Sequence, residues 1–354
     1  MDIQSHFKTY HVDFVETLDE IRALAKRPET FFVVDRAVYD LYRDTLSVIP
    51  PARQMLIDAR EEQKNMDTVL RICEKMTEMP SKRNTHLVSI GGGITQDVTG
   101  FVASSLYRGI RCTFYPSTLL AASDSCIGGK SSLNYKGFKN LLGSFYPPDE
   151  IRIYPAFFHT LAQRDYLSGL GEVVKFSVIA GGSSFAQMET DIDAILAHDY
   201  DVLQKYLVTS LTFKKRFIEA DEFDKGERIL LNFAHTFGHA YEVTSSYAIP
   251  HGSAVAMGMI TANAISVRRG FIEADYAARI EQVCRKILTE IEIQRDCFDI
   301  DGILSAIRKD KKQTDAHIRA VLIRHDGELG VFRDVHHEEI ADAVTHLMTF
   351  MRRE

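Results

Sequence analysis

Short apolar runs that alternate with helical patterns characterise the first part of the chain. Runs rich in β-branched and aromatic residues at 31–35, 86–90 and 112–116 are typical of strands. Between the first two strands, residues 67–79 repeat apolar positions at the spacing of a helix. Strands that alternate with helices favour βαβ units around a parallel sheet. We therefore predict an α/β domain over residues 1–150.

The pattern becomes mainly helical after the pair Pro147-Pro148. Apolar residues recur at helical spacing in three long segments, which are 185–197, 201–217 and 229–244. One late run, 318–323, has the character of a strand. No long linker or low-complexity tract separates the two parts of the chain. We predict that residues 151–354 form a second, mainly helical domain.

Composition narrows the class of protein. The 354 residues include 42 Lys and Arg and 49 Asp and Glu, which gives a net charge of −7. Non-specific nucleic-acid binders present a basic surface, so the charge disfavours that class. No apolar stretch reaches the roughly 18 residues of a transmembrane helix, and the first residues lack the apolar segment of a secretory signal. The five cysteines are scattered and form no CxxC pair, which favours a reducing cytoplasm. A cytoplasmic enzyme without nucleic-acid or membrane partners is the class to test first.

Three consecutive glycines, Gly91-Gly92-Gly93, lie directly after a predicted strand and before a predicted helix. Glycine lets the backbone approach a ligand closely, and the N–H groups of the following helix suit a diphosphate. The run is not GxGxxG, so the usual dinucleotide fingerprint is missing and a flexible turn without a ligand stays open. Asp35, at the end of an earlier strand, could bind a ribose hydroxyl or cap a helix.

Two lysines mark a later loop. Gly128 and Gly129 precede Lys130, and Lys139 is followed by Asn140. Ammonium groups and an amide donor suit a phosphate. The run resembles the end of a P-loop, but Asp124 occupies the position of the first P-loop glycine, which disfavours a nucleotide triphosphatase. Two surface lysines in an ordinary loop remain the alternative.

Histidines and one acid form the third group of candidates. His235 and His239 are four residues apart on a predicted helix, with Asn232 one turn earlier on the same face. His251 opens another apolar helix, and Glu172 lies at the expected start of a helix. Two imidazoles and one carboxylate would make a three-ligand divalent-metal site. A solvated or buried histidine pair is the alternative, and HExxH is absent.

Taken together, these motifs resemble the 3-dehydroquinate synthase family of sugar phosphate cyclases. Order and spacing agree over about residues 31 to 330. The matching motifs are Gly91-Gly92-Gly93 with Asp97, Tyr107-Arg108-Gly109, Pro116-Ser117-Thr118-Leu119-Leu120, Asp124-Ser125, Gly128-Gly129-Lys130, Lys139-Asn140, Gly171-Glu172 with Lys175, Arg228, Leu231-Asn232, His235-Thr236-Phe237-Gly238-His239 and His251-Gly252.

The resemblance implies a Rossmann-like α/β NAD-binding domain followed by a helical domain for metal and substrate. It implies conversion of 3-deoxy-D-arabino-heptulosonate 7-phosphate to 3-dehydroquinate and phosphate, a step of the shikimate pathway. NAD and a divalent metal would be the cofactors, the metal being zinc in most members, with cobalt possible. The expected partner is a small anionic sugar phosphate. The expected assembly is a homodimer in which Arg108 reaches the second subunit's site.

The resemblance also implies roles for individual residues. The metal ligands would be Glu172, His235 and His251. The NAD contacts would be Asp35, Glu61, Lys64, Gly91, Gly92, Gly93, Asp97, Ser117, Thr118, Asp124, Ser125 and Lys139. The substrate contacts would be Arg108, Lys130, Asn140, Lys214, Arg228, Asn232, His239 and either Lys311 or Lys312. Residues close to the reacting atoms would be Lys139, Lys175, Asp124 and His239.

Three positions depart from the family pattern: Phe138 and Ala234 stand where glycine is usual, and Asp224 stands where glutamate is usual. They leave sister cyclases open, namely the 2-deoxy-scyllo-inosose, epi-valiolone and amino-dehydroquinate types. Arg228 and Lys214 favour a substrate with a carboxylate. A glycerol dehydrogenase-like oxidoreductase would share the two-domain plan but lack the lysine loop. An inactive regulator is the alternative from outside enzymes.

Overall fold

A computed structural model describes residues 1–80, 82–181, 183–291, 298–309, 318–325 and 327–352. The chain separates into two compact units. The first contains residues 1–161 and 215–223, and the second contains the other described residues. The first unit thus extends past residue 150, since strand β9 (Glu150–Ile153) belongs to its sheet.

A seven-stranded sheet forms the centre of the first unit, in the order β1-β2-β9-β6-β5-β3-β4. The other strands of this unit are β1 (Asp2–Gln4), β2 (Thr9–Phe14), β3 (Thr30–Asp35), β4 (Gln54–Ile57), β5 (His86–Gly91), β6 (Arg111–Pro116), β7 (Lys130–Tyr135) and β8 (Phe138–Phe145). Every pairing in the large sheet is parallel except that of β1 with β2. The parallel α/β prediction and its strands β3, β5 and β6 are confirmed.

Short helices connect these strands: α1 (Asp19–Lys26), α2 (Arg36–Leu41), α3 (Arg43–Leu46), α4 (Met66–Thr77) and α5 (Gly93–Ser105). Helix α4 matches the predicted helix over 67–79 and buries Val69, Ile72 and Met76 on one face. The strands β3 and β5 are buried almost throughout, which explains their continuous apolar sequence.

The rest of the described chain is mostly helical. It contains α6 (Gln163–Ile179), α7 (Ser183–Leu196), α8 (Tyr200–Ala220), α9 (His235–Thr244), α10 (His251–Arg268), α11 (Ala274–Ile287), α12 (Ile300–Lys309), the antiparallel strands β10 (Ile318–Ile323) and β11 (Leu329–Val335), and α13 (His337–Arg352). Helix α10 is apolar on all sides because it is buried among α6, α9, α11 and α13. None of the described helices is long and apolar enough to cross a membrane.

Two local predictions are wrong. The predicted helix over 229–244 is broken, because residues Glu227–Asn232 form a 3-10 helix and Ala234 adopts a left-handed φ of 71° before α9 begins. Asn232 therefore does not share a helix face with His235. Glu172 and Lys175 lie in the middle of α6 rather than at its start. Apolar spacing alone does not separate a 3-10 turn from a continuing helix.

Candidate active site

Three helices bring the predicted metal ligands together in the second unit. Glu172 projects from α6, His235 is the first residue of α9, and His251 is the first residue of α10. The Nε2 atoms of the two histidines lie 3.2 and 3.3 Å from Glu172 Oε1. One potential ligand atom from each residue lies within 4.8 Å of the others, a spacing that one divalent cation could bridge.

Glycines next to these ligands allow the helices to approach so closely. Gly171 precedes Glu172, and a β-carbon there would lie 2.0 Å from the carbonyl oxygen of Gly252. Gly252 follows His251, and its own β-carbon would lie 1.7 Å from the carbonyl oxygen of Ser168. Any other residue at either position would push α6 and α10 apart. The glycines thus set the distance between a carboxylate ligand and an imidazole ligand.

The outer ring nitrogens of both histidines have acceptors. His235 Nδ1 lies 3.0 Å from the carbonyl oxygen of Phe233, and His251 Nδ1 lies 3.1 Å from Glu242 Oε2. A proton on each Nδ1 satisfies these acceptors and leaves Nε2 with a lone pair. This tautomer is the one that metal-bound histidines adopt when an outer acceptor orients the ring.

Burial and charge at this cluster favour a bound cation. Glu172 is fully buried, its oxygens make no well-oriented hydrogen bond, and Lys175 Nζ lies 2.5 Å from one of them. Burial acts to raise the pKa of Glu172, but Lys175 and His235 hold it well below its usual value. Burial, with Lys175, lowers the pKa of His235 to about 4, which keeps that imidazole neutral.

His251 has the opposite shift. Burial acts to lower its pKa, but the adjacent carboxylates of Glu172 and Glu242 outweigh burial and raise the pKa to about 10. A divalent cation on Nε2 would replace the proton that the metal-free protein holds there. The donor set, two imidazoles and one carboxylate, therefore fits a cation such as zinc.

The other predicted residues of the second unit lie on neighbouring segments. The ring of His239 is centred 5.3 Å from that of His235 and 5.9 Å from that of His251. Asn232 ends the 3-10 helix and donates from Nδ2 to the carbonyl oxygen of Ile229 at 2.9 Å. Arg228, on the same 3-10 helix, and Lys214, on α8, are both buried, with 3% and 7% of their surface exposed. Lys311 and Lys312 lie outside the described residues.

In the first unit, predicted cofactor residues lie at the carboxyl edge of the parallel sheet. Asp35 ends β3, Gly91 ends β5, and Ser117 and Thr118 follow β6 directly. These three strands are neighbours in the sheet, so their carboxyl ends lie side by side. Ligands of open α/β sheets bind at this edge.

Helix α5 begins at this edge with the glycine run. Gly92 is its N-cap and has no side chain that could accept a hydrogen bond. The first-turn N–H groups therefore point, uncapped by that residue, to the open end of the helix. A β-carbon at Gly92 would lie 2.8 Å from Thr118 Cγ2. Thr95 and Gln96, in the first turns, are buried, and among the described residues their side-chain polar atoms have no hydrogen-bond partner. This arrangement fits a diphosphate. Asp35 caps α2, since its Oδ1 accepts from the N–H of Ala37 at 3.0 Å.

The predicted lysine loop is instead a β-hairpin of β7 and β8, turning at Lys136 and Gly137. Lys130 begins β7 and is exposed, and Lys139 on β8 lies 3.8 Å from Glu61 Oε1. Phe138, one of the departures from the family pattern, is 66% exposed at the start of β8. The loop prediction failed because β7 carries polar residues at positions 130, 132 and 134, so its apolar content is low for a strand.

A polar cluster joins this hairpin to α5 and to the segment after β4. Lys64 Nζ lies 2.5 Å from Asp97 Oδ2 and donates to Asn140 Oδ1 at 2.6 Å. Ser132 donates its backbone N–H to Asp97 Oδ1 at 3.0 Å. Two predicted cofactor residues and one predicted substrate residue thus lie together. Asp124 and Ser125 lie on a single π-helical turn, Ala121–Ser125, and a β-carbon at Gly93 would lie 3.4 Å from Ser125 Oγ.

Sequence reasoning missed Asn134, which links the parts of this cluster. Its side-chain amide donates to Glu61 Oε1 at 2.8 Å and accepts from the N–H of Asn140 at 2.9 Å. Its backbone N–H donates to the carbonyl oxygen of Lys64 at 2.7 Å. The period-2 pattern that places residues 130, 132 and 134 on one face of a strand could have identified it. Glu242 was also missed, because its contact with His251 is not encoded in local spacing.

Arg108 lies on a strained turn of the first unit. Tyr107, Arg108 and Gly109 have φ values of 52°, 68° and 115°, and the first two are L-residues in the left-handed region. The side chain of Arg108 is exposed. Strain of this kind is retained where a side chain must be presented in one direction.

Comparison with known families gives two adjoining matches. The family described as 3-dehydroquinate synthase N-terminal matches residues 54–168, and the family described as 3-dehydroquinate synthase C-terminal matches residues 169–313. A 3-dehydroquinate synthase from Clostridium tetani is 36% identical over 319 residues, which is 89% of this chain and 85% of the relative.

Solved structures show the same fold. A 2-epi-5-epi-valiolone synthase from Streptomyces hygroscopicus subsp. jinggangensis, with NAD+ and Zn2+ bound, has a TM-score of 0.86 and 25% identity, covering 96% of this chain and 97% of its own. A 2-deoxy-scyllo-inosose synthase complexed with carbaglucose-6-phosphate, NAD+ and Co2+ also has a TM-score of 0.86, with 23% identity, covering 98% and 99%.

Proposed function

The chain belongs to the 3-dehydroquinate synthase family, and from this premise we propose that it converts 3-deoxy-D-arabino-heptulosonate 7-phosphate to 3-dehydroquinate and phosphate in the shikimate pathway. The reaction is a transient oxidation of the sugar, elimination of phosphate, reduction, ring opening and an aldol-type closure to a carbocycle. It is a lyase reaction without net redox change. The observation that carries the proposal is the similarity to 3-dehydroquinate synthases over 89% of this chain, together with the convergence of Glu172, His235 and His251.

Glu172, His235 and His251 would hold the divalent metal, with zinc as the expected ion and cobalt as the alternative. When bound, the cation acts as a Lewis acid that lowers the pKa of the hydroxyl to be oxidised. Lys175, 2.5 Å from Glu172, adds positive charge beside the same centre. In this proposal Lys175 stabilises the developing alkoxide rather than acting as a strong base.

NAD would bind at the carboxyl edge of the first unit's sheet, and when bound it accepts a hydride and later returns it. The first turn of α5 would receive the diphosphate after Gly91-Gly92-Gly93. The remaining contacts in this proposal are Asp35, Glu61, Lys64, Asp97, Ser117, Thr118, Asp124, Ser125 and Lys139. Polar groups held at this edge would fix the orientation of the nicotinamide relative to the sugar.

The substrate would be held by its two anionic ends. The phosphate contacts in this proposal are Lys130, Asn140, Asn232 and His239, and the carboxylate contacts are Lys214 and Arg228. Lys139 and Lys175 would lie near the ring hydroxyls and the nicotinamide, and one of Lys311 and Lys312 would face the substrate. Holding both ends selects one conformer of a flexible molecule. Phosphate, as a leaving group, can accept the neighbouring proton with its own oxygen, so the protein needs no strong dedicated base.

A coupled assay tests this function. We expect release of phosphate from the heptulosonate phosphate, dependent on a trace of NAD and on a divalent metal, without accumulation of NADH, because the hydride is returned in each turnover. Steady accumulation of NADH would indicate a dehydrogenase of the glycerol dehydrogenase type instead. Turnover of glucose 6-phosphate, with none of the heptulosonate phosphate, would indicate a sister cyclase and contradict the assignment.

We also propose a homodimer in which Arg108 contributes to the second subunit's phosphate site. The exposed and conformationally strained Tyr107-Arg108-Gly109 turn supports this role. Arg108→Ala should leave the oligomer intact and raise the KM about tenfold to a hundredfold, the loss of one charge-assisted contact. Light scattering measures the oligomer, and steady-state kinetics measure KM.

Mixed dimers make the test of Arg108 specific. A dimer that pairs an Arg108→Ala chain with a Glu172→Gln chain should regain about half of the wild-type activity at wild-type KM, because the chain with intact metal ligands would receive Arg108 from its Glu172→Gln partner. If Arg108 instead acts within its own chain, neither site of this dimer is complete. The Arg108→Ala chain lacks its arginine, and the Glu172→Gln chain lacks its carboxylate ligand. The reciprocal comparison is a wild-type chain paired with a doubly substituted chain, in which the only intact set of metal ligands would face a partner that lacks Arg108. Half of the wild-type activity with unchanged KM in this second dimer would contradict action across the interface.

A cytoplasmic location completes the proposal. The four cysteines within the described residues form no disulfide, as expected in a reducing compartment.

A further inference from the structure

Glu242 lies behind one of the three metal ligands, although no motif singled it out. It is on α9, seven residues after His235, and its Oε2 lies 3.1 Å from Nδ1 of His251. Its side chain is 14% exposed, so the contact is largely shielded from water. The opposite nitrogen of His251, Nε2, faces Glu172 at 3.3 Å. The imidazole of His251 therefore lies between Glu242, on its Nδ1 side, and the proposed metal position, on its Nε2 side.

The two histidine ligands are held in different ways. The outer nitrogen of His235 faces a main-chain carbonyl, that of Phe233, which persists whatever side chains are present. The outer nitrogen of His251 faces a side chain, so its tautomer depends on the identity of residue 242. An imidazole without an outer acceptor populates both tautomers and rotates more freely, which weakens it as a ligand.

Charge gives a second reason for a carboxylate at this position. Lys175, which is buried, already places a positive charge beside Glu172. A divalent cation would add two more positive charges, and Glu172 supplies only one negative charge. The carboxylate of Glu242, 14% exposed, reduces the net positive charge of the centre, and so reduces the free energy lost when water is excluded.

We propose that Glu242 is a positioning residue that accepts the Nδ1 proton of His251 and so holds Nε2 toward the metal. The inference rests on the proposed metal site. Its competitor is that Glu242 is itself a ligand, because one atom each from His239, Glu242 and His251 also lies within 4.8 Å of the others. The nitrogen of His251 next to Glu242 is Nδ1, 3.1 Å from Oε2, and a cation bound to it would displace the proton that Glu242 accepts in our proposal.

Metal affinity and the visible absorption spectrum of the cobalt-loaded protein test the proposal without any assay of turnover. Glu242→Ala and Glu242→Met remove the acceptor, and Met preserves most of the volume. We expect both to weaken zinc binding about 10- to 100-fold, measured by competition with a chromophoric chelator, and to alter the cobalt spectrum. Glu242→Gln keeps a carbonyl oxygen that can accept the same proton and should restore most of the affinity.

Glu281→Gln is the matched control. Glu281 is 15% exposed and lies 2.6 Å from His346 Nε2, so it repeats the carboxylate–histidine contact where no ligand cluster was found among the described residues. This variant should keep wild-type metal affinity and spectrum. Circular dichroism of each metal-free variant separates a loss of fold from a loss of binding.

Three results would overturn the proposal. Unchanged affinity and spectrum in the folded Ala and Met variants would show that Glu242 does not orient His251. An equal loss of zinc affinity in the Gln variant would show that an acceptor oxygen at residue 242 does not orient His251. Two metal ions per wild-type chain, one of them lost in Glu242→Ala, would make Glu242 a ligand. Absence of metal binding by the wild-type protein is a separate result, which would contradict the proposed function itself.

Discussion

Glu172→Gln is expected to abolish tight metal binding and to lower kcat by at least about a thousandfold, the effect of losing several kcal/mol of transition-state stabilisation. The substitution keeps the shape of the side chain but removes the one anionic ligand. Two imidazoles, neither of which supplies negative charge, are then left to hold the cation. Lys175 would also repel the cation without a carboxylate to offset its charge.

The same change should destabilise the metal-free protein. Lys175 is buried, and breaking its ion pair with Glu172 leaves an ammonium group facing an amide. Loss of one partner of a buried ion pair costs about 3–5 kcal/mol. Denaturant unfolding measures the free energy, and elemental analysis after dialysis measures bound metal.

Glu339→Gln provides the control for this experiment. Glu339 is also buried and accepts from Arg269 at 2.6 and 2.7 Å, but it belongs to neither candidate ligand group found among the described residues. It should lose stability while keeping bound metal and kcat. A Glu172→Gln protein that retains one metal ion per chain and near wild-type kcat would refute the assigned ligand set.

Arg228→Met is expected to raise the KM for the heptulosonate phosphate about a hundredfold, because two hydrogen bonds from a guanidinium to a carboxylate contribute about 1.5–3 kcal/mol each before compensation. Arg228 is 3% exposed, and its position matches the carboxylate-binding arginine that the family resemblance implies. Methionine preserves much of the volume of the stem, so the change removes mainly the charge and the forked donors.

Two further measurements make the Arg228 result specific. Arg228→Lys keeps the charge but not the forked geometry and should give an intermediate KM. Arg216→Ala, an exposed arginine on α8, should leave KM unchanged. A folded Arg228→Met protein with wild-type KM would show that no carboxylate binds there. That result would reopen the 2-deoxy-scyllo-inosose and epi-valiolone types of sister cyclase, whose substrates lack a carboxylate.

Much of the first unit could be predicted from local pattern. The strands over 31–35, 86–90 and 112–116 are continuous apolar runs because parallel strands are covered on both faces. Strand β9 was missed because it is short, four residues, and two of them are only half-buried. The hairpin was missed because it lies outside the large sheet and carries alternating polar residues.

Local pattern was less reliable around the proposed metal ligands. The stripe over 229–244 is continuous in sequence, yet the backbone turns at Ala234 into the left-handed region. A β-carbon at Gly258 would lie 2.2 Å from the carbonyl oxygen of Ala234, so α10 packs directly against this turn. A long-range contact therefore fixes the start of α9 at His235. Helical periodicity carries no information about such a contact.

The sequence by itself determined the residue types of the site and the order in which they occur. Its motifs identified the family, and therefore the carboxylate and two imidazoles suited to a divalent cation, the glycine run suited to a diphosphate, and the cations suited to a doubly anionic substrate. These features are local, since each depends on side-chain chemistry and on spacing within one segment.

The tertiary structure alone decided how the proposed ligands meet. Gly171 and Gly252 let α6 and α10 approach until Glu172 and His251 are 3.3 Å apart, a contact between residues about eighty positions apart in sequence. The same packing places Glu242 behind His251. Close helix packing is a property of surfaces that meet only after folding, which is why spacing along the chain could name the ligands but not what orients them.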